Sequence, residues 1–264
     1  MKHLLAATLA LLLPAAAAVA QDADVAENHY YPRATEVAGA AHPWLVMLPG
    51  GGGIDVFGDD HFYFDVAKEW NEAGFDVLVV HYQAAAPLLD FAEQPSPALM
   101  ERAVVADALA IARVKGWLDL QCPGFVMGFS FGGAGTMELA ANPPKNLAGA
   151  IGFYPAILGQ SPDYAAKVPV LVLQGDEDQL VSPAALDEFV AKAKDPAQFT
   201  VVHYPGANHG FDIPSLAKPV TYNGGKFEYQ PEAAKASQAE VAKFRSARFA
   251  AAGASAECKI AQDN

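Results

Sequence analysis

The fold is indicated first by the stretch Gly128-Phe129-Ser130-Phe131-Gly132-Gly133, which contains a G-x-S-x-G motif. The run Gly124-Phe125-Val126-Met127 before it is apolar and predicts a buried strand, and the Gly- and Ala-rich residues 131–141 predict a helix after it. A serine on a sharp turn between strand and helix projects its hydroxyl above the sheet, and the next backbone N–H faces the reacting carbonyl. The pattern predicts Ser130 as a nucleophile and the N–H of Phe131 as an oxyanion donor.

An acid and a histidine follow Ser130 in the order that a serine, acid and histidine triad requires. Asp178 comes just after the apolar run 168–174, and His209 comes just after the strand-like run 199–204. Because ligands bind at the carboxyl ends of strands in open parallel sheets, the three groups are expected to converge. His209 would take the serine proton as a general base, and Asp178 would hold the imidazole in the correct tautomer.

Other residues compete for both roles. The alternatives for the acid are Asp176 and Glu177, and the alternatives for the base are His61, His81 and His203. His209 is favoured because its loop lies between glycines and leaves the ring free to turn toward Ser130, whereas His203 lies inside a predicted strand.

A second glycine-rich turn, Pro49-Gly50-Gly51-Gly52-Gly53, follows the predicted strand Trp44 to Leu48. Four residues without a Cβ allow the backbone to approach a ligand closely. We expect this turn to supply a second N–H to the oxyanion hole, from Gly51 or Gly52.

Together the three motifs resemble the dienelactone hydrolase family of the α/β hydrolases, over roughly residues 44–249. The resemblance implies an α/β hydrolase fold, with a mostly parallel central sheet and helices on both faces. It also places the acid at Asp178 and implies hydrolysis of esters. The best-known members carry a cysteine at the position of Ser130 and a glutamate in the first loop, where the nearest equivalent is Asp55. Both departures weaken the case for dienelactone as the substrate, and neither affects ester hydrolysis by a serine.

Strands and helices alternate along the chain, which predicts one α/β domain over residues 21–264 with a loose tail from about residue 251. The predicted helices are 61–73, 97–117, 131–141, 183–194 and 231–250, and further strands are predicted at 75–82 and 148–153.

Only residues 154–167 separate two strands above the site, so we expect no large lid domain. The segment 212–230 is expected either to wall the substrate pocket or to form a surface excursion. Candidate pocket residues are Asp55, His81, Phe129 and Tyr222.

Residues 1–20 have the pattern of a secretory signal, with an apolar centre and the sequence Ala18-Val19-Ala20 before a polar segment. We therefore expect a periplasmic or secreted protein with no stable membrane insertion after processing. Cys122 and Cys258 would enter an oxidising compartment, where a disulfide between them is expected and two separate thiols are the alternative.

The formal net charge of −13 disfavours nucleic acid as a partner. No metal-ligand spacing or cofactor motif is present, so no cofactor is expected. The expected function is a monomeric serine hydrolase that cleaves a small-molecule ester or lactone through an acyl-serine intermediate. The alternatives are a serine peptidase or acyltransferase with the same triad, or a non-catalytic binding protein that keeps the fold.

Overall fold

The structure is a computed structural model that describes residues 29–31, 42–82, 87, 95–157, 159–161, 163–252 and 258. The predicted signal at residues 1–20 and most of the predicted loose tail lie outside the described residues. Within the described part of the chain, no helix has the length and apolar character needed to span a lipid bilayer.

The centre of the molecule is a seven-stranded sheet with the order β1-β3-β2-β4-β5-β6-β7. Its strands are β1 (His29–Tyr31), β2 (Trp44–Leu48), β3 (Asp76–Val79), β4 (Gly124–Phe129), β5 (Leu147–Phe153), β6 (Val170–Gly175) and β7 (Phe199–Tyr204). Strands β2 to β7 are parallel, and β1 pairs antiparallel with β3 at one edge. The expected mostly parallel α/β sheet is confirmed.

Helices cover both faces of this sheet. They are α1 (Phe62–Glu72), α2 (Pro97–Lys115), α3 (Phe131–Ala141), α4 (Pro183–Lys192) and α5 (Pro231–Ala251). Helices α2, α3 and α4 pack on the face that includes Trp44 and Val46, and α1 and α5 pack on the face that includes Leu45 and Met47. Because alternate residues of each strand point to opposite, equally buried faces, the central strands are apolar almost throughout.

Serine–proline pairs begin α2 and α4, where the predicted starts are confirmed. The Oγ of Ser96 accepts the N–H of Leu99 at 3.4 Å, and the Oγ of Ser182 accepts the N–H of Ala185 at 3.3 Å. The proline that follows each serine lacks an N–H, and its fixed φ suits the first helical position.

Several short elements differ from the sequence-based prediction. Strand β1 and the hairpin of β8 (Val220–Tyr222) and β9 (Gly225–Phe227) were not predicted, because three-residue strands are too short to show a hydrophobic period. Strand β4 continues through Phe129, and β3 occupies only part of the predicted range 75–82. In the described part of residues 154–169, no helix separates β5 from β6, so no large lid covers the sheet there.

A disulfide joins Cys122, just before β4, to Cys258 near the C-terminus. The two residues are 136 positions apart, so the bond closes a long loop. Such a crosslink restricts the unfolded chain and typically stabilises a fold by about 2–4 kcal/mol.

Candidate active site

Ser130 occupies the turn between β4 and α3. Its φ of 50° lies in the left-handed region, which is unfavourable for a residue with a side chain. The N–H of Ser130 donates to the carbonyl of Phe153 at 3.0 Å, and the carbonyl of Ser130 accepts the N–H of Ala156 at 2.8 Å. Because both partners belong to the end of β5 and the segment after it, the neighbouring strand stabilises the strained turn.

Two glycines allow this turn to pack closely. A Cβ at Gly128 would lie 2.2 Å from the carbonyl oxygen of Gly132, and a Cβ at Gly132 would lie 2.3 Å from the carbonyl oxygen of Leu48. Neither approach is sterically allowed, so any larger residue would push α3 away from β4 and β2. The G-x-S-x-G motif is therefore a packing requirement that also holds Ser130 above the sheet.

Three side chains that are distant in sequence meet at the carboxyl end of the sheet. The Oγ of Ser130 lies 2.8 Å from Nε2 of His209, and Nδ1 of His209 lies 2.7 Å from Oδ2 of Asp178. Because a carboxylate can only accept, the proton of the neutral imidazole lies on Nδ1, and Nε2 accepts from the serine hydroxyl. The side chains of His209 and Asp178 are 2% and 0% exposed, so the hydrogen bond between them is shielded from water.

The loop after β6 fixes the carboxylate of Asp178. Its Oδ1 accepts the N–H groups of Leu180 at 2.8 Å and Val181 at 2.9 Å, and its Oδ2 also accepts from Nε2 of Gln174 at 3.1 Å. With the bond from His209, four donors converge on one carboxylate and hold it in a single orientation.

The competing acids and histidines lie outside this arrangement. Oδ1 of Asp176 is 2.8 Å from Nδ1 of His203, and Oδ1 of Asp187 is 3.1 Å from Nε2 of the same ring, at the protein surface. Glu177 is exposed, and His61 is exposed beside Asp60. None of the alternatives considered from the sequence lines the cavity around Ser130.

Two buried tyrosines hold the glycine-rich turn after β2. The N–H of Gly50 donates to the hydroxyl oxygen of Tyr63, and the hydroxyl of Tyr82 donates to the carbonyl of Gly50, both at 2.8 Å. Burial raises the pKa of both tyrosines, so both remain protonated. The N–H of Gly53 is used within the turn, where it donates to the carbonyl of Gly50 at 2.9 Å.

The remaining glycines of the turn, Gly51 and Gly52, line the cavity together with Phe131. A Cβ built on Gly51 would lie 3.6 Å from the Cβ of Phe131, so the turn lies directly beside the start of α3. Phe131 is the first residue of that helix, and a first-turn N–H has no acceptor within the helix. This corner therefore places backbone amides and a helix N-terminus next to Ser130.

Tyr154, directly after β5, packs against the imidazole of His209. Its φ is 37°, and the two ring centroids are 4.4 Å apart. The Tyr154 hydroxyl donates to Oδ1 of Asp212 at 2.7 Å. Burial raises the pKa of Asp212 to about 7, and the hydrogen bond from Tyr154, which favours the charged form, only partly opposes this rise. A second carboxyl group thus lies behind the imidazole, connected to it through one aromatic ring.

A cavity of about 740 Å³ opens above Ser130. Its aromatic lining residues are Phe57, Tyr63, Phe129, Phe131, Tyr154, Tyr222 and Phe227. The other lining residues outside the triad and the glycine turn are Val56, Ala156, Gln179, Leu180, Val181, Ile213 and Asn223. Members of the segment 212–230 therefore wall this cavity.

Two of the four candidate pocket residues, Phe129 and Tyr222, lie at the cavity, and the other two do not. Asp55 is exposed, and its Oδ1 accepts the N–H of Gly58 at 2.8 Å within the same turn. His81 follows β3, which β2 separates from β4, the strand before Ser130. Neither Asp55 nor His81 is among the residues that line this cavity, and a pocket role for them remains a prediction.

Sequence reasoning missed five residues that support the site: Tyr63, Tyr82, Tyr154, Gln174 and Asp212. Gln174 did carry a sequence signal, because it is a polar residue at the end of an otherwise apolar run. The structure shows that its side chain is fully buried, where a polar group needs hydrogen-bond partners. The tyrosines carried none, since an aromatic residue in a strand or helix is usually part of the core.

Known proteins share this architecture. A sequence model described as the dienelactone hydrolase family matches residues 54–247. Among solved structures, m3DLH is 21% identical over 81% of this chain and 90% of its own, with a TM-score of 0.63. Esterase 2 of Thermogutta terrifontis, phosphoramylated by tabun, is 16% identical over 84% of this chain and 89% of its own, with a TM-score of 0.56. Est1E of Butyrivibrio proteoclasticus, with bound ferulic acid, is 13% identical over 85% of this chain and 95% of its own, with a TM-score of 0.55.

No curated protein sequence matches the chain significantly. At identities below 25%, the structural likenesses establish the fold, which is that of the α/β hydrolases. The sequence model adds the family, because it covers most of the chain and includes the serine turn, the acid loop and the histidine loop. This protein therefore belongs to the dienelactone hydrolase family of α/β hydrolases.

Proposed function

We propose that this protein is a serine hydrolase that cleaves a small carboxylic ester or lactone through an acyl-serine intermediate. The observation that carries the proposal is the continuous hydrogen-bonded series from Ser130 through His209 to Asp178 at the floor of a cavity. A serine hydroxyl becomes nucleophilic when a neighbouring base can take its proton during attack.

In the acylation step, Oγ of Ser130 attacks the carbonyl carbon of the ester while Nε2 of His209 takes the hydroxyl proton. Asp178 stabilises the imidazolium that forms, because its carboxylate faces Nδ1. The tetrahedral intermediate then collapses, the bond to the leaving oxygen breaks, and His209 gives its proton to that oxygen. A lactone keeps its alcohol attached to the acyl group, whereas a linear ester releases it.

In the deacylation step, a water molecule attacks the acyl-serine and gives its proton to His209, which returns it to Ser130 as the carboxylic acid leaves. Negative charge develops on the carbonyl oxygen in both steps. The N–H of Phe131 and an N–H of the Gly51–Gly52 turn are the donors proposed for that charge. Loss of one such donor typically lowers turnover by about 10²–10³-fold.

Two structural neighbours support ester chemistry. Thermogutta esterase 2 is an esterase that tabun phosphoramylates, and Est1E binds ferulic acid, an aromatic carboxylic acid. Both share the fold of this chain, so the same class of reaction is proposed here.

The Cys122–Cys258 disulfide supports the proposal that the protein is exported to the periplasm or beyond. Disulfides persist in such oxidising compartments.

The proposal is tested by treating the protein with a fluorophosphonate, followed by intact-mass measurement and peptide mapping. We expect one adduct, located on Ser130, and no adduct on the Ser130→Ala variant. Ser161→Ala is the matched control, because Ser161 is an exposed serine outside the cavity, and it should label as the wild type does. A folded wild-type protein that remains unlabelled, or an adduct on another serine, would contradict the proposal.

A further inference from the structure

An aromatic cluster of Phe57, Tyr222 and Phe227 forms the rim of the cavity, and Phe57 and Tyr222 in it are exposed. Phe57 contacts Phe227 and Tyr222 edge to face, with ring centroids 4.8 Å and 5.9 Å apart, and Tyr222 and Phe227 are 6.1 Å apart. Phe57 is 39% exposed and Tyr222 is 55% exposed. Among the described residues, only Leu99 and Val114 are other large apolar side chains with comparable exposure. An exposed apolar patch that borders a cavity is typical of a ligand-contacting surface.

The cluster is held in a defined position relative to the triad. The hairpin that bears Tyr222 and Phe227 docks on the acid loop, where the N–H of Lys226 donates to Oε1 of Gln179 at 3.1 Å. Gly225 lies so close to Leu180 that a Cβ would overlap it. The ring of Phe227 meets that of His209 edge to face, with centroids 5.1 Å apart. A flat ring bound against this cluster would therefore lie beside the imidazole.

Apart from the backbone amides and the helix N-terminus beside Ser130, the described lining of the cavity offers an anion no positively charged side chain. Among the described lining residues, there is no Asp, Glu, Lys or Arg, and His209 is the only ionisable group besides tyrosine hydroxyls. Nδ1 of His209 is already bonded to Asp178. Lys226 lies on the hairpin, but it is not a lining residue, and its Nζ is 2.6 Å from Oε2 of Glu228. A free carboxylate entering this cavity would lose hydration without gaining an ion pair.

The charge of the whole chain acts in the same direction. The net charge of −13 repels anions before they reach the cavity. A neutral aromatic group meets neither penalty, and it gains edge-to-face contacts with a cluster that is already formed.

We infer that the site selects uncharged esters that carry an aromatic ring and discriminates against esters or lactones that carry a second, free carboxylate. This inference rests on the proposed function, since it names the substrate class of the same site.

The test measures binding to the Ser130→Ala variant, so that selectivity is separated from turnover. Three probes are compared by titration calorimetry: methyl cinnamate, which is neutral and aromatic; dimethyl fumarate, which is neutral without a ring; and monomethyl fumarate, which carries one free carboxylate. We expect methyl cinnamate to bind about 10-fold more tightly than dimethyl fumarate and about 100-fold more tightly than monomethyl fumarate.

A second experiment adds a positive charge at the rim and measures how the affinities of the probes change. In the Ser130→Ala background, Tyr222→Arg should weaken methyl cinnamate and strengthen monomethyl fumarate by about 10-fold each, whereas Tyr222→Phe should keep the wild-type order. Val114→Arg is the matched control, because it adds the same charge at a residue that is 85% exposed and outside the cavity. It should leave the three affinities in their original order.

The inference is overturned if monomethyl fumarate binds as tightly as either neutral ester, or if methyl cinnamate does not bind at its solubility limit. Hydrolysis of 4-nitrophenyl acetate by the wild type is measured separately. Selective binding without any hydrolysis would overturn the proposed function and support the selectivity. Hydrolysis with the opposite order of binding would overturn the inference and support the proposed function.

Discussion

Two histidines, His203 in β7 and His209 in the turn after it, each contact an aspartate through Nδ1. They differ in the group that faces the other ring nitrogen. Nδ1 of His209 lies 2.7 Å from Asp178, and Nδ1 of His203 lies 2.8 Å from Asp176. The remaining nitrogen of His209 is 2.8 Å from the hydroxyl of Ser130, whereas that of His203 is 3.1 Å from the carboxylate of Asp187. Their side chains are 2% and 32% exposed.

The two rings differ in whether the group at the second nitrogen can donate a proton. A hydroxyl can donate to a neutral imidazole, so the pair of His209 and Ser130 is ready for proton transfer. Two carboxylates can only accept, so His203 makes both of its hydrogen bonds only as an imidazolium. We therefore expect a histidine–aspartate pair to be insufficient for catalysis, with the group at the second ring nitrogen deciding its chemistry.

The largest expected effect comes from removing each imidazole in turn. We expect His209→Ala to lower kcat by about 10⁶-fold, because a triad without its base retains little activity. We expect His203→Ala to change kcat by about twofold at most, as is usual for surface substitutions. Turnover of 4-nitrophenyl acetate by the two purified variants measures both effects. A comparable loss in the His203 variant would remove the distinction between the two pairs.

The second prediction compares the two aspartates. Asp178→Asn should lower kcat by about 10⁴-fold, as loss of the triad acid does elsewhere. An amide NH₂ in place of Oδ2 would face two donors, the Nδ1–H of His209 and Nε2 of Gln174, and would favour the wrong tautomer. Asp176→Asn alters an exposed pair and should leave kcat within about twofold of the wild type.

Melting temperatures accompany these rates as a control for folding. A low rate for Asp178→Asn is interpretable only when that variant still melts cooperatively. Near-normal turnover in Asp178→Asn together with a loss in Asp176→Asn would assign the acid to the exposed pair.

The third prediction concerns the carboxyl group of Asp212, which lies behind the imidazole of His209. The pKa of Asp212 in the folded protein is raised to about 7, above the ordinary value of about 3.9. Its contribution to stability is therefore present in full below about pH 4 and is lost as pH rises through about 7. As pH rises from 5 to 8, the wild type should lose up to roughly 2–3 kcal/mol of stability relative to the Asp212→Asn variant, which has no carboxyl group to ionise there.

Chemical denaturation at several pH values measures this difference. Asp187→Asn, beside the exposed ring of His203, is the counterpart, and its stability difference from the wild type should stay within about 1 kcal/mol over the same range. Equal pH dependence in the two variants would contradict a special environment for Asp212.

The parts of the fold that could be predicted have local causes. Helices α2 and α4 begin at Ser-Pro pairs, and strands such as β6 are apolar because both of their faces are buried. Strand β1 and the β8–β9 hairpin lack such signals, since their pairing depends on partners that are distant in sequence or on three residues alone. The aromatic rim could not be foreseen for the same reason, because it joins Phe57 to a hairpin more than 160 positions later.

The order of motifs along the chain was enough to predict that Ser130, Asp178 and His209 converge, because the strained serine turn needs small neighbours and the other two groups follow strand ends. Sequence could not exclude that Asp176 or His203 took part, since these residues follow or occupy the same strands. Only the tertiary structure separates them: Asp176, directly after β6, meets His203 of β7 at the surface, whereas the turns that follow these two strands carry Asp178 and His209 inward to Ser130. The tyrosines around Gly50 and His209 likewise acquire their roles only when helices and strands from separate parts of the chain pack together.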